Sequence, residues 1–144
     1  MDPIAPLTRA MPLANALLEA ARRAREHAYA PYSKFAVGAA VETGDGSIVT
    51  GCNVENASLG LSICAERVAL TRAIAEGHKN IRAIAIAGPT GCNVSPCGAC
   101  RQFVAEFDPA LPVTFTTADG VIETTLTELL PHAFTVSNSS ARAQ

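Results

Sequence analysis

The chain has 144 residues, 49% of them hydrophobic and 17% charged, with a formal net charge of −2. That length supports one domain with a real core, and the small charge, with no block of one sign, speaks against a nucleic-acid partner. No apolar run approaches the roughly 20 residues that span a bilayer, so no membrane contact is expected.

Residues 1–11 read as a loose leader. MDPIAPLTRAMP carries an acid at position 2 and three prolines, with no apolar stretch of the kind a signal peptide needs. The single domain is expected over 12–136, and SNSSARAQ at 137–144 reads as a tail. After Pro12, the residues Leu13, Ala16, Leu17, Ala20, Ala21, Ala24 and Ala28 recur at helical spacing, with Arg22, Arg23, Arg25 and Glu26 on the other side. This predicts a first amphipathic helix that ends before Pro31. Phe35 to Val41 and Ser47 to Val54 read as strands, joined through an Asp45-Gly46 turn that suggests an antiparallel hairpin. A second helix is expected from Cys64 to about Glu76, stopped by Gly77. Ile81 to Ala87 reads as a strand, about Gly98 to Phe107 as a third helix, and Val113 to Thr117 and Val121 to Thr124 as strands around a turn at 118–120. Thr125 to Leu130 reads as a short last helix before Pro131. The order α-β-β-α-β-α-β-β-α implies an α/β fold, a three-layer α/β/α sandwich around a five-stranded mixed sheet. The apolar surface is rich in Ala and Val, and part of it is expected to face copies of the same chain.

The five cysteines do not suggest a disulfide framework in the cytoplasm, where the chain is expected and where thiols stay reduced. Their placement suggests metal chemistry. Cys97 and Cys100 stand at i and i+3 at the start of a helix, where both sulfurs address one point and the helix dipole favours thiolates. Pro96 opens that helix, and Gly98 leaves the backbone room to bend. Cys64 opens the preceding helix at the same end of the sheet. Three thiolates and an open fourth position are the pattern of a catalytic zinc site. Glu66 lies two residues past Cys64 and points elsewhere, so it can stand over the open position and carry protons. Other readings of the same residues exist: Cys52 or Cys92 closing a purely structural site, a redox dithiol at Cys97 and Cys100, or Glu66 as a simple helix-terminus acid. The pairing of Cys64-Ala65-Glu66 with Pro-Cys-Gly-Ala-Cys speaks against each of them.

Cys-Ala-Glu-Arg at 64–67 and Pro-Cys-Gly-Ala-Cys-Arg-Gln at 96–102 resemble the zinc motifs of the cytidine deaminases of the small, homotetrameric type. Ala30 to Phe35 with Val37-Gly38-Ala39-Ala40, Asn53 to Ser58, and Leu129 to Phe134 resemble three further segments of that family. The resemblance covers about residues 13–134 and implies the cytidine deaminase-like fold. It also implies one zinc ion per subunit on Cys64, Cys97 and Cys100, with Glu66 as the catalytic proton carrier. By the same resemblance Asn53 and Glu55 hold the ribose hydroxyls, Phe35 lies against the pyrimidine, and the Ala65 backbone faces the polar edge of the base. Phe134 reaches the site of a neighbouring subunit, and Arg67 donates hydrogen bonds to the thiolates, offsetting the −1 charge of three thiolates on one zinc ion. The implied reaction is hydrolysis of cytidine and 2′-deoxycytidine to uridine and 2′-deoxyuridine with release of ammonia, in a homotetramer. The alternative is a deaminase of a modified cytosine nucleoside such as blasticidin S. The chain departs from the family at Leu59, where a Tyr is common.

Overall fold

A computed structural model of the chain describes residues 5–136, without the side chains of 5–14. Its elements are α1 (Ala5–Ala24), a 3₁₀ turn at Arg25–His27, β1 (Gly38–Thr43), β2 (Ile48–Cys52), a 3₁₀ turn at Leu59–Leu61 and α2 (Ala65–Ala75). β3 (Ile81–Ala87), α3 (Gly98–Ala105), β4 (Pro112–Thr117), β5 (Gly120–Thr125) and α4 (Leu126–Leu129) follow. The strands form one mixed sheet in the order β2-β1-β3-β4-β5. Within this sheet β3 and β4 are the one parallel pair, and the connection between them carries α3.

The alternation of a strand explains the two covered faces. Ala40, Ala85 and Ala87 bury against Leu17, Leu18 and Ala21 of α1 on one side. Their sequence neighbours Ala39, Val41, Ile84 and Ile86 bury with Ala69, Leu70 and Ala73 of α2 and Val104 of α3 on the other. Small residues let the layers close. A Cβ at Gly38 would fall 2.0 Å from the Ala21 carbonyl oxygen, and one at Gly51 would fall 2.3 Å from the Ala69 backbone nitrogen.

Among the boundaries that shift from the sequence expectation are the starts of α1 and β1. Pro12, taken there as the start of the first helix, lies inside α1, which begins at Ala5. Pro6 then falls in the first turn, where a missing N–H costs nothing. Residues 1–4 of the expected leader and the expected tail at 137–144 lie outside the described residues. β1 begins at Gly38 rather than Phe35 because Asn53 takes the backbone of 35–37: its Nδ2 donates to the Phe35 carbonyl at 2.8 Å and its Oδ1 accepts from the Val37 N–H at 2.9 Å. No described helix is long and apolar enough to cross a membrane.

Candidate active site

The site forms where α2 and α3 begin. Cys64 is the N-cap residue of α2 and Cys97 that of α3, both in extended backbone, and neither cap position carries a side-chain hydrogen bond to the helix. Their sulfurs are thereby left at the positive ends of two helices. Cys100 lies one turn into α3 and is buried. The Sγ atoms of Cys64, Cys97 and Cys100 all lie within 4.8 Å of one another, and the group includes neither Cys52 nor Cys92.

The thiols are electrostatically linked. The hydrogen bond with Cys100, and after it the Arg67 guanidinium, hold Cys64 low, at about 5. The same hydrogen bond, with burial, pushes Cys100 up. Arg67 Nη2 stands 3.7 Å from Cys64 Sγ and 3.5 Å from the Ser62 carbonyl. Its Nε is buried with no partner among the described residues. Three soft sulfur donors, a donor-rich cation beside them and a spare buried N–H suit a thiolate-bound divalent ion such as zinc.

Beside the thiols lies an open cavity of about 410 Å³. Phe35 and Val37 form part of one wall, Ala65 and Glu66 come from α2, and Asn93, Val94 and Ser95 come from the loop before α3. Asn53 and Glu55 reach it from the segment after β2. Glu66 is 5% exposed, and burial pushes its carboxyl above the usual carboxylate range. Its place at the thiols is therefore paired with a raised proton affinity, the property required of a proton carrier. Among the residues lining the cavity there are two acids and no Lys, Arg or His.

The structure thus brings Phe35, Asn53, Glu55, Ala65, Glu66, Cys64 and Cys97 to one cavity, with Cys100 and Arg67 at its thiol corner. Phe134 is not part of this wall; it is 76% exposed. Asn53 and Glu55 are already engaged. Besides the Asn53 bonds to residues 35–37, Glu55 Oε1 accepts from the N–H groups of Tyr32 and Ser33 at 3.0 and 3.1 Å, and Oε2 accepts from the Ser33 hydroxyl. Those bonds, the Ser33 hydroxyl first, hold the Glu55 carboxyl below the usual range. Ser33 Oγ also accepts from the Phe35 N–H at 3.0 Å. Ser33 was missed by the sequence reading, although it lies inside the Ala30-to-Phe35 segment that the reading singled out.

The chain matches the model of the cytidine and deoxycytidylate deaminase zinc-binding region over residues 11–116. It is 46% identical over 130 residues to a cytidine deaminase of Sporosarcina psychrophila, covering 89% of this chain and 96% of that one. It is 51% identical over 124 residues to a cytidine deaminase of Halalkalibacterium halodurans, covering 85% and 94%. The crystal structure of cytidine deaminase from Burkholderia pseudomallei superposes with a TM-score of 0.79 at 52% identity, over 83% of this chain and 98% of that one.

Proposed function

The chain belongs to the cytidine and deoxycytidylate deaminase family, and from that premise we propose that it hydrolyses cytidine and 2′-deoxycytidine to the uridine nucleosides and ammonia. The observation that carries the reading is the placement of Glu66, a buried carboxyl of raised proton affinity that lines the open cavity together with Cys64 and Cys97, beside the three-thiol group. Cys64, Cys97 and Cys100 would hold zinc, whose Lewis acidity would supply a water of near-neutral pKa as the nucleophile.

The remaining chemistry is the work of the chain's own groups. Glu66 accepts the proton of the attacking water and delivers it to ring nitrogen N3, so that C4 becomes electrophilic. Once the water oxygen has bonded to C4, Glu66 takes that oxygen's remaining proton and passes it to the exocyclic amine; the C4–N bond breaks, ammonia leaves and the C4 carbonyl of the uridine product forms. A group of raised pKa suits both halves, since it must give up the proton it has just taken. The Ala65 backbone and Glu66 face the polar edge of the base, Phe35 covers its ring, and Arg67 offsets the thiolate charge. Asn53 and Glu55, held by the 32–37 backbone, keep further lone pairs and one amide N–H for the sugar hydroxyls. The absence of cationic side chains along the wall, and the Glu55 carboxylate there, favour a neutral nucleoside over a phosphorylated one.

The chain is proposed to act as a cytoplasmic homotetramer, a compartment that keeps a three-thiol site reduced. Exposed Leu59, Leu61 and Phe134 support assembly, with Phe134 completing a neighbour's site. The test is zinc content and loss of cytidine absorbance measured on one sample. Glu66→Gln is expected to lower turnover by at least about 10²–10⁴-fold while zinc stays at one ion per chain. Near-normal turnover in that variant would remove Glu66 from its role.

A further inference from the structure

The two residues that follow Cys100 along α3 hold the segment that ends at Phe134. Gln102 meets Phe134 at both of its main-chain groups: Nε2 donates to the Phe134 carbonyl at 2.8 Å, and Oε1 accepts from the Phe134 N–H at 3.1 Å. Arg101 uses all three guanidinium nitrogens. Nε donates to the Pro96 carbonyl at 2.7 Å, Nη2 to Ser95 Oγ at 2.8 Å and Nη1 to the Leu129 carbonyl at 2.7 Å. The stretch from 129 to 134 is therefore tied at both ends, through backbone atoms, to the helix that bears two of the thiols and to the loop that lines the cavity.

A carboxamide that binds both the N–H and the C=O of one residue fixes that residue's orientation and leaves its side chain free. The Phe134 ring is accordingly held at its root and exposed at its tip. Such a ring gains little inside its own chain, and loosely held chain ends fray. We infer that Gln102 is a positioning residue that sets the direction in which Phe134 is presented to substrate bound in a neighbouring copy. This rests on the reading of Phe134 given above. A ring laid against the substrate contributes alike to the ground and transition states, so the effect belongs in KM and not in kcat.

The test is a double-mutant cycle with Q102M, which keeps the length and helical tendency of Gln and removes both hydrogen bonds, and with Phe134→Ala. Phe134→Ala is expected to raise KM for cytidine by about tenfold, the worth of one aromatic contact with its burial. Q102M is expected to raise it about three- to tenfold with kcat unchanged, and to add nothing once Phe134 is Ala. Exchange of the Phe134 amide hydrogen is expected to quicken by about tenfold in Q102M, as loss of one hydrogen bond implies. Effects that add independently, a change confined to kcat, or unchanged amide exchange would overturn the role of Gln102. A raised KM in Phe134→Ala beside an inert Q102M would overturn that role alone. An unchanged KM in Phe134→Ala would overturn the neighbour-site reading and the inference together.

Discussion

Several side chains that shape this molecule work by capturing backbone. Asp45 is one, far from the thiols in the β1–β2 turn: it accepts from the Thr43 hydroxyl and, at 3.0 Å, from the Ser47 N–H, with His78 Nδ1 3.8 Å away. The Thr43 bond, then those with Ser47, lower its pKa from 3.8 to about 2. A carboxyl with a lowered folded pKa adds stability above its unfolded value, and that stability is lost as pH falls through the folded value. The wild-type urea midpoint should therefore fall between about pH 4 and pH 2, and Asp45→Asn should fall less over the same window; parallel curves would refute the assignment. Asn53, Glu55, Arg101 and Gln102 act in the same way, and this decides which of them were legible in the sequence. The three cysteines and Glu66 declare themselves, because thiol donors at i and i+3 and a neighbouring acid are rare side-chain chemistry at local spacing. The backbone captures do not, because every residue offers an N–H or a C=O and no pattern marks the one that is taken. Arg101 and Gln102 stood within a quoted motif, yet their partners lie up to 32 positions away.

At the scale of elements, hydrophobic period and turn residues were enough to order all five strands and the helices. β3 is found over the predicted residues because both of its faces are buried by apolar side chains. The start of β1 was misplaced because Phe35 to Val37 is as apolar as the strand it enters, while its backbone is taken by side chains, those of Asn53, Ser33 and Arg25. The glycine contacts separate the two helical layers experimentally. In Gly51→Ala the new methyl meets the backbone of α2 at Ala69, and in Gly38→Ala it meets the Ala21 carbonyl in α1. Both variants should lose about 1–3 kcal/mol of stability, toward the upper end because backbone cannot step aside. Only Gly51→Ala displaces the helix capped by Cys64, so only it should also speed zinc release to a chelator. Equal release from the two variants would show that α2 and the thiol cluster move independently.

For the whole molecule, the balance of surfaces is uneven. Leu59 and Leu61 are 73% and 66% exposed in the segment just before the thiol-bearing helix, and Phe134 is exposed as well. If the chain assembles as proposed, Leu61→Asp should convert a particle of four 14.9 kDa chains into smaller species by light scattering, with a matching rise in KM through loss of the proposed Phe134 contact with a neighbour. A wild-type chain that is monomeric at micromolar concentration would remove the assembly. The parallel pairing of β3 with β4 bears on the order in which the molecule forms. Hairpins such as β1–β2 and β4–β5 close over a few residues, whereas Cys64 meets Cys97 only after the stretch holding β3 has looped back and α3 has docked. The contact of Cys64 with Cys97 and Cys100 is thus a long-range one, which costs more loop-closure entropy than either hairpin. Until α3 docks beside the start of α2, an unfolded chain holds Cys64 apart from the local Cys97 and Cys100 pair, and oxidants or competing soft metals have their best access to the thiols in that interval.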